Sequence, residues 1–270
     1  MRVRRRRGAR AAGSLFLSGM TALACSSSSS GGVGAAAVAL GTDADDGARE
    51  LANIGAAIVA GDPTNLRVAA TADLLPTTPT PFRPAACVTA TLDAASRTAT
   101  YAFRDCTPPR SAALVSGTVS VSWQGEAPLA LTFSGTAVKV GGATLTFTAT
   151  GDVQGNGDAR SMTWSAMISG TSANGHALQR TSQETYTWTT KQDCLTESGT
   201  TDGTVDGAAV HGESVTYAIC AGGCPAAGSE QRITDVGSGQ TYDFQWSQTS
   251  LTYQGPGGQQ QVALACVAGM

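Results

Sequence analysis

Charge and aromatic rings are scarce in this chain. Asp, Glu, Lys and Arg make up 14% of its 270 residues, Phe, Trp and Tyr 6%, and there are two histidines. No stretch approaches the run of ~20 apolar residues that a spanning helix needs. Missing too are a Gly-x-Ser-x-Gly elbow, a phosphate-binding glycine loop and a dinucleotide fingerprint, the signatures of common hydrolase, nucleotide and dehydrogenase sites. A hydrophobic content of 41% is nonetheless too high for a disordered chain, so a globular domain is expected. Basic residues are fewer than they look. Of 17, six (Arg2, Arg4, Arg5, Arg6, Arg7 and Arg10) precede Cys25, where no acid occurs. The other 11 face 20 acids, a charge of −9 that argues against nucleic acid or anionic lipid head groups as partners.

Residues 1–24 combine a cationic start, a short and mostly apolar stretch, and small residues Thr21, Ala22 and Ala24 around Leu23, directly before Cys25. That order reads as a signal peptide, because the apolar part is too short to cross a bilayer. Its end resembles the lipobox of bacterial lipoproteins, in which signal peptidase II cleaves before a cysteine that becomes lipid-modified. Ala22 stands where leucine is usual in that family. The resemblance covers about a tenth of the chain. It implies acylation of Cys25, a membrane partner reached through that lipid, and outer-membrane sorting, since Ser26 rather than Asp follows the cysteine. Ordinary secretion with cleavage near Ala24 is the alternative. Residues 25–41, in which Cys25 leads into five serines and then Gly31 and Gly32, read as a polar tether.

Export agrees with the cysteines. Apart from Cys25 there are six: Cys87, Cys106, Cys194, Cys220, Cys224 and Cys266, an even number that predicts three disulfides in an oxidising compartment. A hairpin turning through residues 94–97 that sets Leu92 opposite Tyr101 also sets Cys87 opposite Cys106. Val88, Leu92, Tyr101 and Phe103 then share one face, and both cysteines lie on the other with Thr89, Thr91 and Arg104. Cys194 with Cys220 and Cys224 with Cys266 are the favoured remaining pairs, and Cys220 with Cys224 is the rival. A zinc site is not expected, because Pro225 follows Cys224 at once and no histidine or second close pair accompanies it.

Residues 42–84 read as a helical segment and a proline-rich connector. Leu51, Ile54 and Ile58 recur at helical spacing, Asp43, Asp45 and Asp46 suit the positive end of a helix dipole, and Gly61 suits its C-terminal cap. Asp62 and Pro63 offer a cap and first turn for a second helix reaching about residue 75. Residues 76–84 hold four prolines.

In residues 85–270 the period changes to two. Val115, Gly117, Val119, Val121 and Trp123 alternate with small polar residues, as do Leu129, Leu131 and Phe133, then Leu145 and Phe147, then Met162, Trp164, Ala166 and Ile168. Tyr186 and Trp188; Val215, Tyr217 and Ile219; Tyr242, Phe244 and Trp246; Leu251 and Tyr253; and Val262 and Leu264 continue it. With turn residues at 141–142, 155–158, 173–175 and 237–239, this predicts an antiparallel meander of about 12 strands, wet on one face. It would form a curved sheet, a half-barrel or two stacked sheets. Val138 opposite Leu145 has the wrong parity for Phe133, so a bulge is expected at Gly135. A transmembrane barrel would need a nearly unbroken apolar band, which the Ser and Thr positions break.

Chemistry-bearing constellations are few. His176 and His211 each stand beside a glycine in an expected turn, with no second imidazole at metal spacing. Asp152, Asn156 and Asp158, like Asp202 and Asp206, could offer oxygens to calcium but read as turn formers. Trp123, Trp164, Trp188 and Trp246 sit on the apolar phase and are expected inside. No catalytic residue, metal or cofactor is therefore assigned. The favoured function is a non-catalytic, lipid-anchored envelope protein with a structural, adhesive or protein-binding role. One alternative is a carrier of lipid or another apolar ligand, resembling the periplasmic lipoprotein carriers in outline, which requires an apolar cavity around Leu51, Ile54 and Ile58. The other is a glycan hydrolase, which requires a cleft with converging carboxylates ~5 to 9 Å apart.

Overall fold

The computed structural model describes residues 45–62, 65–68, 81–190, 194–220, 225–247 and 250–263. The alternating pattern becomes one 13-stranded antiparallel sheet in which every strand pairs with its neighbours in sequence. Its strands are β3 (Val88–Asp93), β4 (Thr98–Cys106), β5 (Val115–Gln124), β6 (Leu129–Val140), β7 (Ala143–Asn156), β8 (Ala159–Thr171), β9 (Ala177–Thr189), β10 (Leu195–Val205), β11 (Ala208–Ile219), β12 (Glu230–Asp235), β13 (Gln240–Trp246), β14 (Ser250–Gly255) and β15 (Gly258–Ala263). The sheet stays open, with β3 and β15 at its two ends.

Helix α1 (Asp45–Ala57) lies in the concavity of this sheet. From residue 47 to Ile58 every residue except Ala57 is buried. Its contacts come from both directions: it packs on β6 and β8, Arg49 reaches Glu197 of β10, and Glu50 and Asn53 bond to Ser111 and Pro109 ahead of β5. One continuous sheet therefore curls around it. Leu51, Ile54 and Ile58 are 2%, 2% and 1% exposed, as their spacing predicts. Small residues let the helix come close: a Cβ on Gly55 would stand 3.3 Å from the Phe133 ring and 3.4 Å from Trp164.

The expected second helix does not form. In its place β1 (Val59–Asp62) and β2 (Asn65–Val68) make an antiparallel hairpin, held to the main sheet by the Leu66 amide donating to the Glu126 carbonyl. Leu66 and Val68 are buried while Arg67 is half-buried, a period of two that a cap-and-proline reading overlooks. Residues 69–80, which complete that expected helix and hold most of the connector, lie outside the described residues, as does Leu264.

Curling a wide sheet tightly needs gaps on its inner face, and glycines supply them opposite large side chains. Gly135 faces Phe147, Gly151 faces Trp164, Gly199 faces Glu184, Gly203 faces Arg180 and Gly212 faces Ile233. The expected bulge lies between Gly135 and Val138, with Val138 opposite Leu145. The residue in the left-handed region is Ala137, at φ +52°, not Gly135. Gly135 is needed for closeness, since its Cβ would stand 2.6 Å from the Phe147 ring.

Two other register changes revise the sequence pattern. A bulge between Ser214 and Thr216 turns Val215 outward to 45% exposure, whereas Tyr217 and Ile219 face in as expected. In β3–β4, Val88 pairs with Phe103 and Leu92 with Ala99, two residues away from the expected Leu92–Tyr101 pairing. A shift of two preserves the faces, so Val88 and Phe103 still share one.

Candidate functional site

The Cys87–Cys106 disulfide forms, but not on the outer face. Cys87 closes a short 3-10 turn (Ala85–Cys87) and Cys106 follows Asp105, whose φ is +53°. That left-handed residue changes the parity of β4, and both cysteines end 6% and 0% exposed in the core. Cys194–Cys220 also forms and ties β9–β10 to the end of β11. Cys25, Cys224 and Cys266 lie outside the described residues.

The concave face carries a buried ionic cluster where β9, β10 and β11 meet α1. Counting back by twos from the inward Tyr186 and Trp188 puts Glu184, Ser182 and Arg180 inside as well, and the same parity on β10 puts Glu197 and Thr201 inside. Arg180 Nη2 donates to Glu184 Oε1 at 2.6 Å and to Thr201 Oγ1 at 2.7 Å, and Tyr186 Oη donates to Glu184 Oε2 at 2.7 Å. Arg49 of α1 donates through Nε to Glu197 Oε2 at 2.8 Å, while Ser214 Oγ donates to Glu197 Oε1 at 2.5 Å. The Arg49 guanidinium also lies 3.6 Å from the centroid of the Tyr217 ring. Opposite Glu184 and Arg180, Gly199 and Gly203 let the β9 and β10 backbones approach closely beneath the cluster.

The cluster is dry. Arg49, Arg180, Glu184 and Glu197 are 1%, 5%, 5% and 2% exposed. Burial, followed by the negative charges of Glu184 and Glu197, raises the Tyr186 phenol well above its ordinary pKa. Glu184 bonds Tyr186 directly, and Glu197 acts on it through its charge. Each carboxylate is already saturated by an arginine and a hydroxyl, and the helix covers them. The Arg49–Glu197 pair ties α1 to β10.

At the surface, both histidines pair with aspartates. His176 Nδ1 is 2.7 Å from Asp206 Oδ2 and joins the β8–β9 loop to the β10–β11 turn. His211, which lies within β11 and not in a turn, is 2.7 Å from Asp202 Oδ1 directly across the ladder. Hydrogen bonds from His176 and from the Ala177 amide hold Asp206 below the ordinary carboxylate range. Among the described residues no three His, Cys, Asp or Glu side chains gather as a metal site. Of the tryptophans, Trp164, Trp188 and Trp246 are buried and Trp123 is half-buried against the core.

The convex face presents the mostly polar phase of the strands, with Met167 of β8 and Val215 of β11 exposed among it. One cross-strand row runs Thr98, Ser122, Thr132, Thr150, Ser165, Gln183 and Thr200, then becomes charged at Glu213, Arg232 and Asp243. A depression of about 240 Å³ opens beside the charged end, over β12–β14. A second, of about 390 Å³, lies near the ends of β7–β10 beside Trp188, Arg160 and Cys194.

No helix among the described residues is long and apolar enough to cross a membrane. No family model, curated protein or solved structure matches the chain.

Proposed function

We propose that this protein is a non-catalytic, lipid-anchored domain of the bacterial cell envelope. In this reading it is held at the outer membrane through acylated Cys25 and serves a structural, adhesive or partner-binding role with its outer surface. The observation that carries the reading is the filled concavity: the side chains that would line a carrier's pocket, Leu51, Ile54 and Ile58, have almost no accessible surface. The chain's own helix holds the place an apolar ligand would take. The burial of Glu184 and Glu197 under the same helix weighs against a hydrolase built on that pair. Two disulfides fit an oxidising compartment, and the Thr and Ser of the convex face suit contact with water or a polar partner.

Intact-mass measurement of the native protein, with and without reduction, tests the anchor and the thiols together. The expected mass begins at Cys25, carries a diacylglyceryl group and further acyl chain, and contains no free thiol. An unmodified N-terminus at or before residue 25 overturns the anchoring. Co-purification of a stoichiometric lipid extractable from the fold overturns the filled interior.

A further inference from the structure

We infer that the depression over β12–β14 is a binding site for a neutral saccharide. The inference rests on the partner-binding reading above, in that it names the partner's chemistry. Four observations on one patch converge. First, the β11 bulge turns Val215 outward as a 45%-exposed apolar wall, and bulges commonly re-aim a side chain at a functional site. Second, the floor beside it is made of planar polar groups: Gln245, Gln254 and Gln259 with the ion pair of Arg232 Nε and Asp243 Oδ1 at 2.8 Å. Such side chains offer donors and acceptors side by side, which matches the vicinal hydroxyls of a sugar, while Val215 can meet the C–H edge of the ring. Third, the volume of about 240 Å³ lies below the roughly 300–1,000 Å³ of clefts for drug-sized ligands, so the site takes something of sugar-ring size. Fourth, the one cation there, Arg232, is ringed by Asp243, Glu213 and Glu230, so the patch is net negative and repels phosphate, sulfate or uronate.

The register places these groups in one lattice. Glu213, Arg232, Asp243, Gln254 and Gln259 are successive cross-strand partners, so each side chain stands about 5 Å from the next along a row. Hydroxyls around one ring can therefore reach several of them at once. Phe244 backs the depression but is fully buried, so no aromatic ring among the lining residues is exposed, which sets the patch apart from the aromatic anchors of protein interfaces.

The test titrates the mature protein, labelled with ¹⁵N, with glucose, galactose, mannose and N-acetylglucosamine in turn, and with glucuronate and sulfate as anionic controls. At least one neutral sugar is expected to shift the amides of Val215, Arg232, Asp243 and Gln254 saturably. Asp243→Asn and Gln254→Ala should each weaken that binding about tenfold, while Thr163→Ala on β8 of the same face leaves it unchanged. Spectra that are otherwise superposable show that the variants fold. The inference is overturned by no shift with any neutral sugar, by a preference for the anions, by shifts centred on the Trp188 depression, or by binding that both variants retain. A normal Cys25 lipid mass alongside any of these outcomes leaves the anchoring intact, and a failed lipid mass leaves the sugar site untouched.

Discussion

Glu197 shows how much a single side chain decides when it is buried with a charge. It accepts from Arg49 and Ser214 at 2% exposure, so replacing it with Ala removes a buried carboxylate that the Arg49 guanidinium bonds under the helix. Glu197→Ala is expected to destabilise the protein by about 3–5 kcal/mol in chemical denaturation, whereas Arg49→Met with Glu197→Leu should recover most of that loss. Ser182 behaves oppositely. Its hydroxyl is buried without a hydrogen-bond partner among the described residues, so Ser182→Ala should be neutral or stabilising by about 1 kcal/mol. Tyr186 adds a pH dependence. Its folded pKa is raised, so below about pH 10 its contribution is fully present, and above that value the unfolded state loses its proton first. Stability should therefore fall as pH rises past 10, and ultraviolet titration should find one tyrosine that ionises only on unfolding.

Between elements, the recurring device is a glycine facing a bulky neighbour on the adjacent strand. At Gly203 a Cβ would stand 2.1 Å from the Gln179 carbonyl oxygen and 2.9 Å from the Arg180 Cα, so backbone and not a movable side chain would have to yield. Gly203→Ala is expected to cost more than 2 kcal/mol, about the size seen for overpacked cores, with the loss read from the denaturation midpoint. The strand pattern was legible because an antiparallel strand with one wet face writes its burial into alternate residues. The break before Val138 was legible too, from the opposite parities of Phe133 and Val138, although the left-handed residue there is Ala137. The parity changes at Asp105 and Val215 were not. The ionic cluster was partly legible, since Glu184 and Arg180 share the inward parity of Tyr186 and Trp188. Arg49 was not, because its partner lies 148 residues away and only the curl of the sheet unites them.

For the whole molecule, the two disulfides close loops of 19 and 26 residues at opposite parts of the meander. Each should be worth about 3 kcal/mol through the entropy of the unfolded chain. Cys194→Ala with Cys220→Ala is therefore expected to lower the denaturation midpoint without changing the far-ultraviolet dichroism. The sheet wraps α1, and with its concavity filled the proposed partner-binding role falls to the convex face and to features such as the Val215 bulge.

Taken alone, the order of the amino acids determined the antiparallel meander, the inward aromatic residues and the pairing of Cys87 with Cys106, because period and turn chemistry act over a few residues. Between Cys194 and Cys224 as the partner of Cys220, the fold decided for Cys194. Tertiary structure alone decided that the sheet curls around its own helix, that residues 65–68 join a hairpin instead of a helix, and that two carboxylates are sealed beneath arginines. Those outcomes depend on which distant side chains share a dry space, and the energy of a buried charge is set by that company and not by its neighbours in the chain.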